Sequence, residues 1–261
     1  MSTPERTEHD TVVYSTISNG VATVILDSPA NRNALSSRLC AQLLDELTAA
    51  VEDDEVRVIV LTHTGPVFCA GADLKEDPER KEGTARDFAA TLELLWTCPK
   101  PVIARLAGPA RAGGTGLVAA ADFAVAVDTV TFAFTEVRIG VVPAVISVPL
   151  RHRVVPHALH RLFLTGDTFD AHHAVTIGLL SAVASVDGLD DEIQRLIDSL
   201  VLSAPQAWAG TKQLVRAECP SIATELESMQ RLSTEYFRSD EAREGLRAFA
   251  ERRRPVWAPS T

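Results

Sequence analysis

The sequence predicts an α/β core followed by a mostly helical C-terminal part. Three observations carry this. Strand-type and helix-type segments alternate as far as residue 135, and helical patterns dominate from Pro143 onward. Apolar residues make up 46% of the 261 positions while aromatics supply only 5%, so a sizeable core is packed mainly by Ala, Val and Leu.

In chain order, residues 11–17 and 21–27 read as two strands joined across Asn19-Gly20, a dipeptide suited to a tight hairpin turn. Ser36 is placed to cap a helix whose apolar positions, Leu39, Leu43, Leu44, Leu47, Ala50 and Val51, recur at helical spacing. Val56–Leu61 is a dense β-branched run of the kind found in buried strands. A helix around 84–97 and a strand at Val102–Leu106 follow, then a short helix opened by glycines in AGGTGLVAAAD, then strands near 123–128 and 131–135. The last helix begins at a Ser239 cap, with Asp240 and Glu241 in its first turn and Arg252–Arg254 expected in its last, a charge order that complements the helix dipole.

The formal net charge is −10, which argues against a nucleic-acid surface and against an anionic membrane face. The N-terminal MSTPERTEHD is polar, and the longest apolar run, Val141–Leu150, is interrupted by Pro143, Ser147 and Pro149. A cytosolic protein is therefore expected. Cys40, Cys69, Cys98 and Cys219 share no short metal-type spacing and read as reduced thiols.

Two glycine-centred turns stand out: Phe68–Glu76 (FCAGADLKE) and Ala107–Leu117 (AGPARAGGTGL). Each follows a strand and precedes helical sequence. Such turns are often ordinary connections. Facing one another, they would instead present two backbone N–H donors to an oxygen that gains negative charge. The stretch Gly114–Ala119 fits a dinucleotide fingerprint, but the first acidic residue at a strand end, Asp128, comes too early for a crossover helix and second strand.

Six collinear blocks resemble the enoyl-CoA hydratase/isomerase (crotonase) superfamily: residues 28–36, 56–76, 100–126, 131–143, 164–180 and 241–255. The resemblance implies a spiral of ββα repeats carrying an acyl-CoA-binding core over 1–200, and a helical region over 201–261 that builds homotrimers or hexamers. It implies a coenzyme A thioester as substrate, with no separate cofactor and no metal. Ala72 and Gly113 match the oxyanion-hole positions. Arg32, Ala34, Ala70, Asp73, Phe249 and Arg252 match segments that line the CoA site, although Arg32 and Arg252 read equally well as solvated surface arginines.

Hydratases of this family typically use two glutamates. The second is matched by Glu136; the position of the first is Gly116. Three mechanisms stay open: Glu136 serving both water and proton in hydration of a 2-enoyl-CoA, Glu136 shuttling a proton in double-bond isomerisation, or a site that only binds or decarboxylates an acyl-CoA. Glu136 could also be spent in an ion pair with Arg138 or Arg111. Arg111 could hold a second substrate carboxylate, face solvent, or make a structural pair. Pro143–Ser147 replaces the small glycines common after this turn, so a narrowed acyl pocket is expected. His172 and His173 point to different sides of a helix and make a poor metal pair; His152, His157 and His160 read as surface or interface residues, and His63 as structural. Cys69 is expected to be buried and inert.

Overall fold

The computed structural model describes residues 11–77, 81–216 and 221–257. Cys219 lies outside the described residues. A six-stranded sheet holds β1 (Val13–Ser18), β2 (Val21–Leu26), β3 (Val58–His63), β4 (Val102–Leu106), β6 (Phe123–Val127) and β9 (Ala182–Ala184), in the spatial order β1-β2-β3-β4-β6-β9. Only β1 and β2 are antiparallel; every other neighbour in this sheet is parallel. Asn19 and Gly20, at φ 51° and 76°, make the hairpin turn between them. Both central turn residues are left-handed, as this type of tight hairpin requires.

β3 is buried along nearly its whole length, which is why its sequence is a continuous apolar run. It begins two residues later than the run suggested. Helix α1 (Ser37–Glu52) covers β1 and β2, and the Ser36 side chain accepts from Leu39 N as its cap. Gln42, buried on α1, accepts from Val12 N and Val13 N at 2.8 and 3.0 Å and so stitches the helix to the edge of the sheet. Helix α2 (Lys81–Thr97) packs on α1, and the short α3 (Gly113–Ala120) is buried throughout.

A second sheet, in the order β5-β7-β8, is built from β5 (Ala110–Arg111), β7 (Thr131–Ala133) and β8 (Phe169–Asp170). The C-terminal half is helical, as expected: α4 (Ala144–Arg153), α5 (Pro156–Thr165), α6 (Ala171–Thr176), α7 (Leu189–Val201), α8 (Pro205–Arg216), α9 (Ile222–Phe237) and α10 (Asp240–Ala250). It also supplies β8 and β9, which the sequence reading did not anticipate. At two and three residues they are too short to show a period-two pattern. The final helix is capped by Ser239, whose side chain accepts from Ala242 N, but it ends at Ala250. Arg252–Arg254 therefore lie beyond the last turn rather than in it, and Arg247 is the base that meets the dipole there.

Helix α9 packs against α2 and α4, and its Ile222 and Leu226 join the main apolar core. A dense charged knot ties α8 to the core. Asp122 pairs with Lys212 at 2.7 Å and Arg216 at 2.9 Å, both on α8, while its own carbonyl accepts from Arg153 at 2.8 Å.

Candidate active site

The second sheet is extended by two irregular segments, and the site grows out of this extension. Residues 32–35 run beside 69–73: Ala70 N donates to Arg32 O at 3.1 Å, Leu35 N to Gly71 O at 2.8 Å, and Asp73 N to Leu35 O at 3.2 Å. On the other side, Phe68 N donates to Pro109 O at 3.0 Å and Arg111 N to Cys69 O at 2.9 Å. Ala112 N then reaches Ala133 O, at the end of β7, at 3.0 Å. Four segments distant in sequence are thus laid side by side, and Glu136 follows the last of them by three residues.

The two glycine turns meet within this ladder. Gly71 has φ 89°, and a Cβ added there would stand 2.8 Å from the Ala112 Cβ and 3.6 Å from Gly113 N. Only glycine permits both that conformation and that approach. Its counterpart, Ala112, has φ 46° and ψ −119°, an unusual conformation for a residue with a side chain. Each positive-φ residue directly precedes one of the two amides singled out by the sequence, Ala72 and Gly113. Gly113 begins α3, so its N–H has no partner within the helix. Ala72 is exposed and Gly113 buried.

The surroundings are fixed by polar groups that the sequence reading missed. Asn33 is fully buried; its side chain accepts from Ser28 N at 2.7 Å and donates to Thr64 O at 3.1 Å and Val67 O at 2.8 Å. Glu76 accepts from Ser37 N at 2.8 Å and Thr84 Oγ1 at 3.0 Å, tying the end of the first turn to α1 and α2. A lone Asn or Glu in a loop carries no periodic signal that would have marked either.

Glu136 opens a single 3-10 turn, Glu136–Ile139, instead of ending a strand. Its Oε2 is buried and has no hydrogen-bond partner among the described residues. Burial pushes its carboxyl up to about 7, against a weaker opposing effect from a backbone hydrogen bond. The two ion pairs considered for it do not form. Arg138 bonds Thr165 O and Asp167, each at 3.2 Å, and Arg111 bonds Thr131 Oγ1 at 2.7 Å and Ala110 O at 3.0 Å. Arg111 is thereby committed to the β5–β7 edge.

The place of a side chain on Gly116 is taken. A Cβ there would lie 2.8 Å from Ile146 Cγ2 and 3.5 Å from Phe88 Cζ. One at Gly113 would lie 2.4 Å from Leu35 Cδ1 and 3.4 Å from Phe88 Cζ. The inner face of α3 is thus walled by Leu35, Phe88 and Ile146, all buried apolar side chains.

The other expected residues sort as follows. Arg32, Ala34, Ala70, Ala72 and Asp73 come together along the 32–35/69–73 ladder, with Arg32 exposed at φ 61° and Asp73 accepting from Asn31 Nδ2 at 3.3 Å. Phe249 is exposed at the end of α10, and Arg252 is exposed beyond it at φ 54°. His63 is structural: its Nε2 accepts from Ala107 N at 3.2 Å, and burial lowers its pKa. Cys69 is buried, its thiol pushed up to about 12 by desolvation. Among the described residues no group of three or more His, Cys, Asp or Glu could hold a metal, and no helix is long and apolar enough to cross a membrane.

Residues 16–260 match the family described as enoyl-CoA hydratase/isomerase. The chain belongs to that family. The crystal structure of an enoyl-CoA hydratase from Mycobacterium avium superposes with a TM-score of 0.86 at 41% identity, covering 95% of this chain and 100% of that one. A carnitinyl-CoA dehydratase from Proteus mirabilis is 33% identical over 94% of this chain and 97% of its own length. An enoyl-CoA isomerase/hydratase from Mycosarcoma maydis is 32% identical over 91% and 92%. The architecture above, a mixed α/β sheet followed by helices, is therefore the crotonase fold, and the protein is an enzyme of this family.

Proposed function

We propose that the enzyme hydrates a 2-enoyl-CoA thioester to a 3-hydroxyacyl-CoA with Glu136 as its one acid/base group. The observation that carries this reading is the buried, unpartnered Oε2 of Glu136, held on a carboxyl pushed up to about 7. Such a group is near-balanced between accepting and giving a proton at neutral pH. The ionised carboxylate takes a proton from water as the water oxygen bonds to the β-carbon. The double-bond electrons move toward the thioester, whose oxygen becomes an enolate and accepts from the N–H groups of Ala72 and Gly113. The proton on Glu136 then passes to the α-carbon, so that one water has been added and the carboxylate is restored.

In this reading Arg32, Ala34, Ala70 and Asp73 line the CoA path along their ladder, and Phe249 on the C-terminal helix and Arg252 just beyond it reach that path. No cofactor is needed beyond the CoA carried by the substrate. The protein works as a homotrimer or hexamer; exposed Leu202, Leu214, Val215 and Val256 in the C-terminal region support association there.

A second reading is favoured by one observation. The space beside Gly116, where a second glutamate would stand, is taken by the apolar side chains of Ile146 and Phe88. Proton transfer between the α- and γ-carbons needs only Glu136 and the two amides, which is isomerisation of a 3-enoyl-CoA to a 2-enoyl-CoA. Purified protein incubated with enoyl-CoA esters of varied length and branching decides. Loss of conjugated-thioester absorbance with a hydroxyacyl product supports hydration. Gain of that absorbance from 3-enoyl-CoA, with solvent deuterium on carbon and no hydroxyacyl product, replaces it with isomerisation. Acyl-CoA binding without turnover, unaltered in Glu136→Gln, would overturn both.

A further inference from the structure

The turn that carries Glu136 meets the C-terminal helix with backbone close to backbone. A Cβ added to Gly245, in the middle of α10, would lie 2.4 Å from the carbonyl oxygen of Ile139 and 2.5 Å from its carbonyl carbon. One added to Gly140, at φ 75°, would lie 2.6 Å from Glu241 C and O and 2.9 Å from Ala242 N. The flanking positions on that face of α10 are Ala242 and Ala248, both buried. At Gly245 the helix thus presents bare backbone to a four-residue turn whose first member is Glu136 and whose last is Ile139. Arg138 also ties the same turn to Thr165 O and Asp167. The turn is short and closed by Val141 N donating to Glu136 O at 3.1 Å, so a shift at Ile139 is transmitted to Glu136 with little slack.

We propose that Gly245 is a positioning residue for Glu136: by admitting the Ile139 carbonyl to the surface of α10 it fixes how far the turn, and with it the carboxylate, stands from the two glycine turns. Helix interiors disfavour glycine relative to alanine. At this position the contact with Ile139 gives a specific reason for it. The inference rests on Glu136 being the acid/base group, and it assigns to α10 a part in the chemistry that no contact with substrate would give it.

The test compares Gly245→Ala with Gly210→Ala, a control on α8 where an added Cβ meets nothing within 4 Å. Both gain helix propensity; only the first must push on Ile139. Two readouts are taken on folded protein: turnover of the substrate identified for the wild type, and the pH titration of the Glu136 carboxyl carbon in ¹³C-glutamate-labelled protein, assigned with Glu136→Gln. The expected result for Gly245→Ala is a kcat lower by about tenfold or more with KM nearly unchanged, and a moved titration midpoint. Gly210→Ala should match the wild type in both. Should Gly245→Ala not fold, Ala242→Gly, which loosens the same seat without a clash, is read in the same way. Unchanged turnover and unchanged titration in a folded variant of this seat overturn the proposal. If the wild type turns over no acyl-CoA while the Glu136 titration still moves in Gly245→Ala, the positioning stands and the proposed reaction falls.

Discussion

Ile146 stands where a side chain on Gly116 would have to go, its Cγ2 at 2.8 Å and its Cβ at 3.3 Å from the position of such a Cβ. The absence of a second glutamate and the bulk that follows Pro143 are therefore one feature. A glutamate cannot simply be restored at 116. Gly116→Glu alone is expected to cost about 1–3 kcal/mol through overpacking and to gain no hydratase activity. Gly116→Glu with Ile146→Ala should recover much of the stability and raise hydration relative to isomerisation. Thermal unfolding and product analysis of the two variants check this; a single variant as stable as the wild type would refute the packing claim.

The raised carboxyl of Glu136 sets a pH profile. Whether the enzyme adds water or moves a double bond, Glu136 must first be ionised to accept a proton. The value of kcat/KM should therefore rise with pH and level off above an inflection near 7. Glu136→Gln should lower kcat by about 10²–10⁴-fold and remove that inflection. Initial rates across pH 5–9, set by about two pH units either side of the midpoint, test it.

The same group has a stability consequence of definite sign. Its folded pKa lies above the unfolded value of 4.5, so the shift contributes no penalty while the carboxyl is protonated in both states, and the penalty grows as pH rises from there through about 7. The full shift corresponds to an upper bound of about 3–4 kcal/mol. Glu136→Gln should accordingly be more stable than the wild type at pH 8, with the advantage vanishing below about pH 4.5. Urea unfolding at the two pH values checks the trend; an advantage independent of pH would contradict it.

Asn33 holds the 32–35 segment against the first glycine turn through three hydrogen bonds. Its removal leaves a buried N–H and two carbonyls without their partner. Asn33→Ala should cost about 3 kcal/mol and also raise KM, since the ladder that carries Arg32, Ala34 and Ala70 loosens. A variant destabilised to this degree yet with unchanged KM would separate Asn33 from the site.

Asp122 is the anion of the knot that pins α8 to the core. Asp122→Ala strands the Lys212 ammonium, whose pKa burial already lowers, and should cost about 3–4 kcal/mol. Adding Lys212→Met should return part of that loss, because the stranded charge is gone. Denaturant titration of the two single variants and the double closes the cycle; strict additivity would argue against the coupling.

Much of this was legible beforehand. Asn19-Gly20, the Ser36 cap and the spacing of Leu39, Leu43 and Leu47 are local signals, and they named the hairpin and α1 because turn chemistry and helical periodicity are written in adjacent residues. The collinear blocks pointed to Glu136 and to both glycine turns. The short strands β8 and β9 escaped because their order comes from neighbours already in place. Asn33 and Glu76 escaped because a buried polar residue is recognisable only once its partners surround it.

The linear sequence, then, determined the alternation of strands and helices, the family, and the substitution of Gly116 for a glutamate, since all of these are carried by residue type and order. The tertiary structure decided what fills the space beside Gly116, that neither Arg138 nor Arg111 neutralises Glu136, and that Gly245 abuts Ile139. Those are contacts between segments 20 to more than 100 residues apart, and they exist only because the packed core brings the segments together.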